Sequence, residues 1–221
     1  MGRRVARQIG ARFLPEAFER LEPPLALVYR SRRELLDLEL ALAREESRRF
    51  VEAQRWRDRG RTVVMDTGPI GPLAYAWGLR AVRPRPPDVV GELALYFRDA
   101  LAAGRWGLPD LTLYLEAPPS EVRARVAADP IGHPRELAAR HAAVDRRARA
   151  LWLGRFGRAA PGRFDRVRAD AGPGEVVRRL VERIRGAPIE PAPTGPDALR
   201  VLSTVRSGPA DRRRRPVAGN R

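Results

Sequence analysis

Asp110-Leu-Thr-Leu-Tyr-Leu-Glu-Ala117 runs directly into Pro118-Pro119-Ser120-Glu-Val-Arg-Ala-Arg125. The first half, with leucine at 111, 113 and 115, reads as a strand. The second half opens a helix, where proline suits the first turn because its missing N–H is not needed there. Upstream, Thr62-Val-Val-Met-Asp66 repeats the strand signal and breaks at Thr67-Gly68-Pro69. A short helix carrying Tyr75 and Trp77 follows. Two weaker strands are expected at 11–14 and at Phe164 to Ala169.

Between them the spacing predicts helices. Leu35, Leu38 and Leu42 recur at helical intervals from Glu34 to about Arg59, where Gly60 closes the pattern. Further helices are expected at 88–103, capped by Asp88, and at Glu175 to Arg185, with an Arg-studded helix ending near Gly157. Strands separated by helices predict an α/β domain over residues 1–186, a three-layer parallel sheet with helices on both faces. Residues 187–221 are rich in Pro, Gly and Arg and end in an Arg212–Arg215 run, so they read as a disordered tail. In parallel sheets the ligand crevice lies at the carboxyl ends of the strands. Glu16, Asp66 with Thr67-Gly68, Pro118 and Asp170 fall there.

Composition narrows the chemistry. The chain of 221 residues has no cysteine, which removes disulfides, thiolate metal sites and cysteine nucleophiles. No apolar run reaches membrane-spanning length and the first residues lack a secretory h-region, so a cytoplasmic location without membrane contact is expected. Net charge is +16, and all 43 Lys-plus-Arg residues are Arg. Non-specific polyanion binding follows from such a charge. The aromatics, sparse and read as not interleaved with the basic residues, favour a solvated surface or a grip on small nucleotide phosphates over a dedicated nucleic-acid site. His133 and His141 have no third ligand nearby, so no histidine metal site is expected. Asp66-Thr67-Gly68 also spells the aspartic-protease triplet. That chemistry needs two such carboxylates on an all-β frame, and this helix-rich chain has one.

Asp110 to Arg125 resembles the strand and helix that precede the Arg-rich lid of thymidylate kinases and deoxynucleoside kinases. Thr62 to Gly78 resembles the strand ending in Asp in the same families. Gly2 to Glu16 is similar to the helix, strand and acid-beside-proline that follow their phosphate loop. The resemblance covers residues 2 to about 185 and implies a P-loop kinase fold with its first strand missing. It implies phosphoryl transfer from ATP to a nucleoside, nucleotide or similar small acceptor, with Mg²⁺ near Asp66 and Glu16 orienting the acceptor. Gly2, Arg3 and Arg4 would stand at the end of the phosphate loop, with Arg125, Arg135 and Arg140 around the lid.

The chain departs from that pattern. A phosphate loop needs G-x-x-x-x-G-K-[ST], and no lysine is present. If the register holds, Arg3 stands where lysine belongs and Arg4 where a hydroxyl belongs. Either the start is assigned too late or the loop has decayed. Thr67 follows Asp66 where an arginine is usual, and Pro15 precedes Glu16 where the order is usually reversed. Two functions follow: a kinase-like phosphotransferase, or a non-catalytic relative acting as a basic binding module.

Overall fold

A computed structural model describes residues 1–21, 29–80, 87–127, 144, 146–149, 152–187 and 194–206. Helix α1 (Gly2–Ile9) leads into strand β1 (Arg12–Leu14) and a 3₁₀ turn at Ala17–Arg20. Helix α2 (Arg32–Arg57) is the longest element, and strand β2 (Val63–Met65) follows it. Then come α3 (Gly71–Leu79), α4 (Val90–Ala102), strand β3 (Thr112–Glu116) and α5 (Pro119–Ala127). After a π-helical segment at Trp152–Phe156 come strand β4 (Phe164–Arg168), α6 (Pro173–Gly186) and α7 (Thr194–Arg206).

Helix α2 starts where its sequence demands. The Ser31 hydroxyl accepts from the Glu34 N–H at 3.1 Å, and the Glu34 carboxylate accepts from the Arg30 N–H at 2.6 Å. The first satisfies a backbone donor that the first turn leaves unpaired, and the second ties the residue before the cap to that turn.

The strands form two parallel pairs. β1 pairs with β2, with Leu14 opposite Met65; β3 pairs with β4, with Thr112 opposite Phe164 and Glu116 opposite Arg168. Among the described residues the two pairs do not join. A cavity of about 470 Å³ lies beside β3, lined by Thr112, Leu113, Tyr114 and Leu115 and by Thr67, Gly68 and Ala74 across from them. Phe164 and Asp165 of the paired strand β4 line it as well.

Two apolar clusters hold the elements together. Val64 of β2 and Leu113 of β3 pack against one cluster, formed by Val5 of α1, Val167 of β4 and Val176, Val177 and Leu180 of α6 among others. The larger cluster gathers Leu35 of α2, Leu73 of α3, Leu93 and Phe97 of α4, Trp106 and Leu202. The sequence reading of 187–221 as a disordered tail needs correction, because α7 lies inside it. Ala198, Val201 and Leu202 are completely buried, being spaced as one helical face and seated in the larger cluster. Residues 207–221 lie outside the described residues.

Candidate functional site

The carboxyl ends of β1 and β2 are held in register from below. The Asp66 N–H donates to the Leu14 carbonyl at 3.0 Å. Arg49 of α2, with no exposed surface, sends Nη2 to the Leu14 and Asp66 carbonyls while Nη1 donates to both Glu46 oxygens at 2.7 Å. Arginine suits this place because its planar fork reaches several acceptors at once and stays charged when buried. Burial pushes the Glu46 carboxyl upward, and the Arg49 guanidinium opposes that push.

On this platform Asp66 is half-buried and Glu16 keeps an exposed surface at the start of the 3₁₀ turn. Partial desolvation raises the Glu16 carboxyl above its ordinary value. A hydrogen bond with Thr67 works against that rise and the Asp66 charge adds to it. The structure therefore brings the two sequence-identified carboxylates into electrostatic contact. Thr67, which links them, has φ +60°. A β-branched residue in the left-handed region is strained by about 1–3 kcal/mol, a cost usually met at sites that need a fixed geometry.

Gly2 stands at the same edge. A Cβ on Gly2 would lie 2.9 Å from the Phe13 ring and 3.3 Å from the Asp66 Oδ2, so only glycine lets the start of α1 approach this closely. The N-terminus of an eight-residue helix, with its partial positive charge, thus abuts Asp66. Arg3 and Arg4 are exposed, and the Arg3 guanidinium stacks over Phe13 at 5.2 Å. A second cavity, of about 600 Å³, is lined by Met1, Glu121 and Asp170 to Pro173. It lies where α1, α5 and α6 all begin. Asp170, bridged by Arg168 and Arg179, has its carboxyl held below the usual range, chiefly by the Arg179 hydrogen bond.

Other expected residues are not gathered here. Arg135, Arg140, His133 and His141 lie outside the described residues, and of Arg125 only the helical backbone is described. Among the described residues no group of three or more His, Asp or Glu is set to enclose a metal. A single carboxylate such as Asp66 is enough for Mg²⁺, which takes one or two carboxylates and completes its shell with water and phosphate oxygens.

Sequence reasoning missed Arg49, although a signal existed. Glu39 and Glu46 fall on the Leu35–Ala43–Phe50 face of α2, so charges were bound to enter the interior there. No helix of the described residues is long and apolar enough to cross a membrane. No protein-family model matches the chain, and neither does any curated protein sequence.

Proposed function

We infer that the edge formed by Gly2, Glu16, Asp66 and Thr67 is built for phosphoryl transfer from a nucleoside triphosphate to a small hydroxyl-bearing acceptor. One observation carries this reading: two carboxylates end adjacent parallel strands directly beside a glycine-led helix N-terminus. Anionic phosphates favour such a terminus, and carboxylates beside it give a divalent cation its protein ligands. The resemblance to thymidylate-kinase-like enzymes supports the same assignment.

In this reading Asp66 would hold Mg²⁺. The ion, when bound, neutralises charge on the phosphate oxygens. Met1, Glu121 and the 170–173 turn border the donor, and Arg3 and Arg4 reach its phosphates. Glu16 orients the acceptor hydroxyl and takes its proton, a role that its raised pKa favours by moving its basicity toward neutrality. Arg49 does not touch the reactants; it keeps the two strand ends, and so the two carboxylates, in one arrangement.

The absence of lysine supports a second reading, a nucleotide binder without turnover. A phosphate loop uses lysine as a mobile charge, and losing one preorganised donor costs about a hundred- to a thousandfold in rate. Single-turnover assays with ATP, Mg²⁺ and a panel of nucleosides and nucleotides separate the two. Transfer that disappears in Asp66→Asn supports the phosphotransferase. Mg²⁺-dependent nucleotide binding without transfer supports the binder. Failure of either to depend on Asp66 removes both.

A further inference from the structure

The edge opposite Asp66 has a different character. There α1 runs out through Arg7, β1 begins at Arg12, and α2 ends at Arg55-Trp56-Arg57 and turns through Asp58-Arg59-Gly60-Arg61. The turn is tightly closed: the Gly60 N–H donates to the Arg57 carbonyl at 2.8 Å and the Arg61 N–H to the Trp56 carbonyl at 3.0 Å. Gly60 has φ +70°, a conformation glycine adopts without strain. The Arg12 N–H donates to the Thr62 carbonyl at 2.9 Å, which brings the start of β1 against this turn. As a result the Arg12 and Arg59 guanidiniums stand 4.7 Å and 5.3 Å from the Trp56 ring centroid.

Charge at this edge is unbalanced. Arg57 reaches Asp110 at 3.7 Å, but Arg7, Arg12, Arg55, Arg59 and Arg61 make no ion pair with a described carboxylate. Asp58 is the acid within the turn. Attraction to helix C-terminal carbonyls accounts for Arg7 and Arg55. It does not account for Arg12, Arg59 and Arg61, which lie beyond the helices, nor for the ring over which Arg12 and Arg59 both lie.

Stacking changes what an arginine can do. A guanidinium lying on an indole keeps its N–H donors pointing outward around the rim, where phosphate oxygens meet them in pairs. Its outer face remains a flat surface on which an unpaired base can stack. Trp56 therefore acts as a shelf that fixes two such surfaces, with Arg61 and Arg55 adding charge alongside.

We propose that this edge binds a single-stranded nucleic acid, with Arg12, Arg59 and Arg61 holding its phosphates and the Trp56 stack receiving an unpaired base. The site is separate from the Asp66 edge and does not depend on the phosphotransferase reading. It uses an aromatic interleaved with arginines, the feature whose apparent absence from the sequence argued against such a surface.

The test is fluorescence anisotropy of a short labelled oligothymidylate with the full chain over a salt series. Arg12→Ala/Arg59→Ala/Arg61→Ala is expected to weaken binding on the order of tenfold or more at low salt. It should also flatten the log–log salt slope by about 2, at roughly 0.7 for each phosphate that no longer meets an arginine. Arg44→Ala/Arg105→Ala, exposed arginines elsewhere, should change little. Trp56→Leu keeps every charge and should weaken binding several-fold with the slope unchanged. The single reversal Arg59→Glu serves if the triple variant does not fold. Wild-type affinity and slope in the triple variant, or an equal loss in the control, overturns the proposal. So does tighter binding of a duplex than of the single strand, or binding to phosphatidylserine vesicles without binding to the oligonucleotide.

Discussion

Glu39 sits on α2 between Leu35 and Ala43, is 2% exposed, and its Oε2 has no hydrogen-bond partner. Burial raises its carboxyl to about 8, from an ordinary 4.5. Between those values the folded chain keeps a proton that the unfolded chain has released. Stability therefore falls as pH rises through that window, by at most about 1.4 kcal/mol per pH unit from this group, and levels off above it. Glu39→Gln removes the effect. Urea unfolding at pH 5.5 and pH 8.5 should show the variant gaining on wild type as pH rises; an equal difference at both values would mean that Glu39 reaches water or a partner. Arg49 poses the reverse problem, being a buried charge whose partner depends on it. Arg49→Met leaves Glu46 uncompensated and is expected to cost about 3–5 kcal/mol. A cost under about 1 kcal/mol in the same unfolding experiment would show that Arg49 does not clamp the strand ends.

The elements were legible in the sequence to the degree that their burial is local. Val63 to Met65 and Thr112 to Glu116 form where strands are expected, and α2 begins at Arg32, two residues ahead of the expected Glu34, because Ser31 caps it. Helix α7 was hidden because Pro191, Pro193, Gly195 and Pro196 dominate its surroundings, while its buried stripe of Ala198, Val201 and Leu202 is short. The stripe gains its stability from α4 and the larger cluster, not from propensity. Leu202→Ala should cost about 2–5 kcal/mol, as a cavity in a packed core does. An unchanged melting midpoint would return the segment to the tail. For the candidate site, the position of Glu16 and Asp66 at the strand ends was readable from the sequence. Arg49 was not, because one arginine among 43 basic residues carries no mark of burial until the helical face is drawn. The Trp56 stack was missed for a similar reason: Arg12 meets it only through the β1–β2 pairing.

At the scale of the whole molecule two opposing features set behaviour in solution. Net charge of +16 keeps copies apart, while β3, which among the described residues pairs only with β4, and the exposed Leu115 invite strand pairing. Association should therefore grow as salt screens the charge, and Leu115→Lys should suppress it; light scattering that stays monomeric across the salt range would show the edge to be protected. The same charge would make any anion bind weakly, so nucleotide binding alone says little about the Asp66 edge. Dependence on the metal and on one carboxylate says much more. The most direct measurement is calorimetric titration of ATP at physiological salt, with and without Mg²⁺, into wild type, Asp66→Asn and the exposed-charge control Arg44→Ala. The account predicts binding that Mg²⁺ strengthens in wild type and in Arg44→Ala, with the strengthening absent in Asp66→Asn. Binding that is indifferent to Mg²⁺ in all three, or weakened as much by Arg44→Ala as by Asp66→Asn, would contradict it.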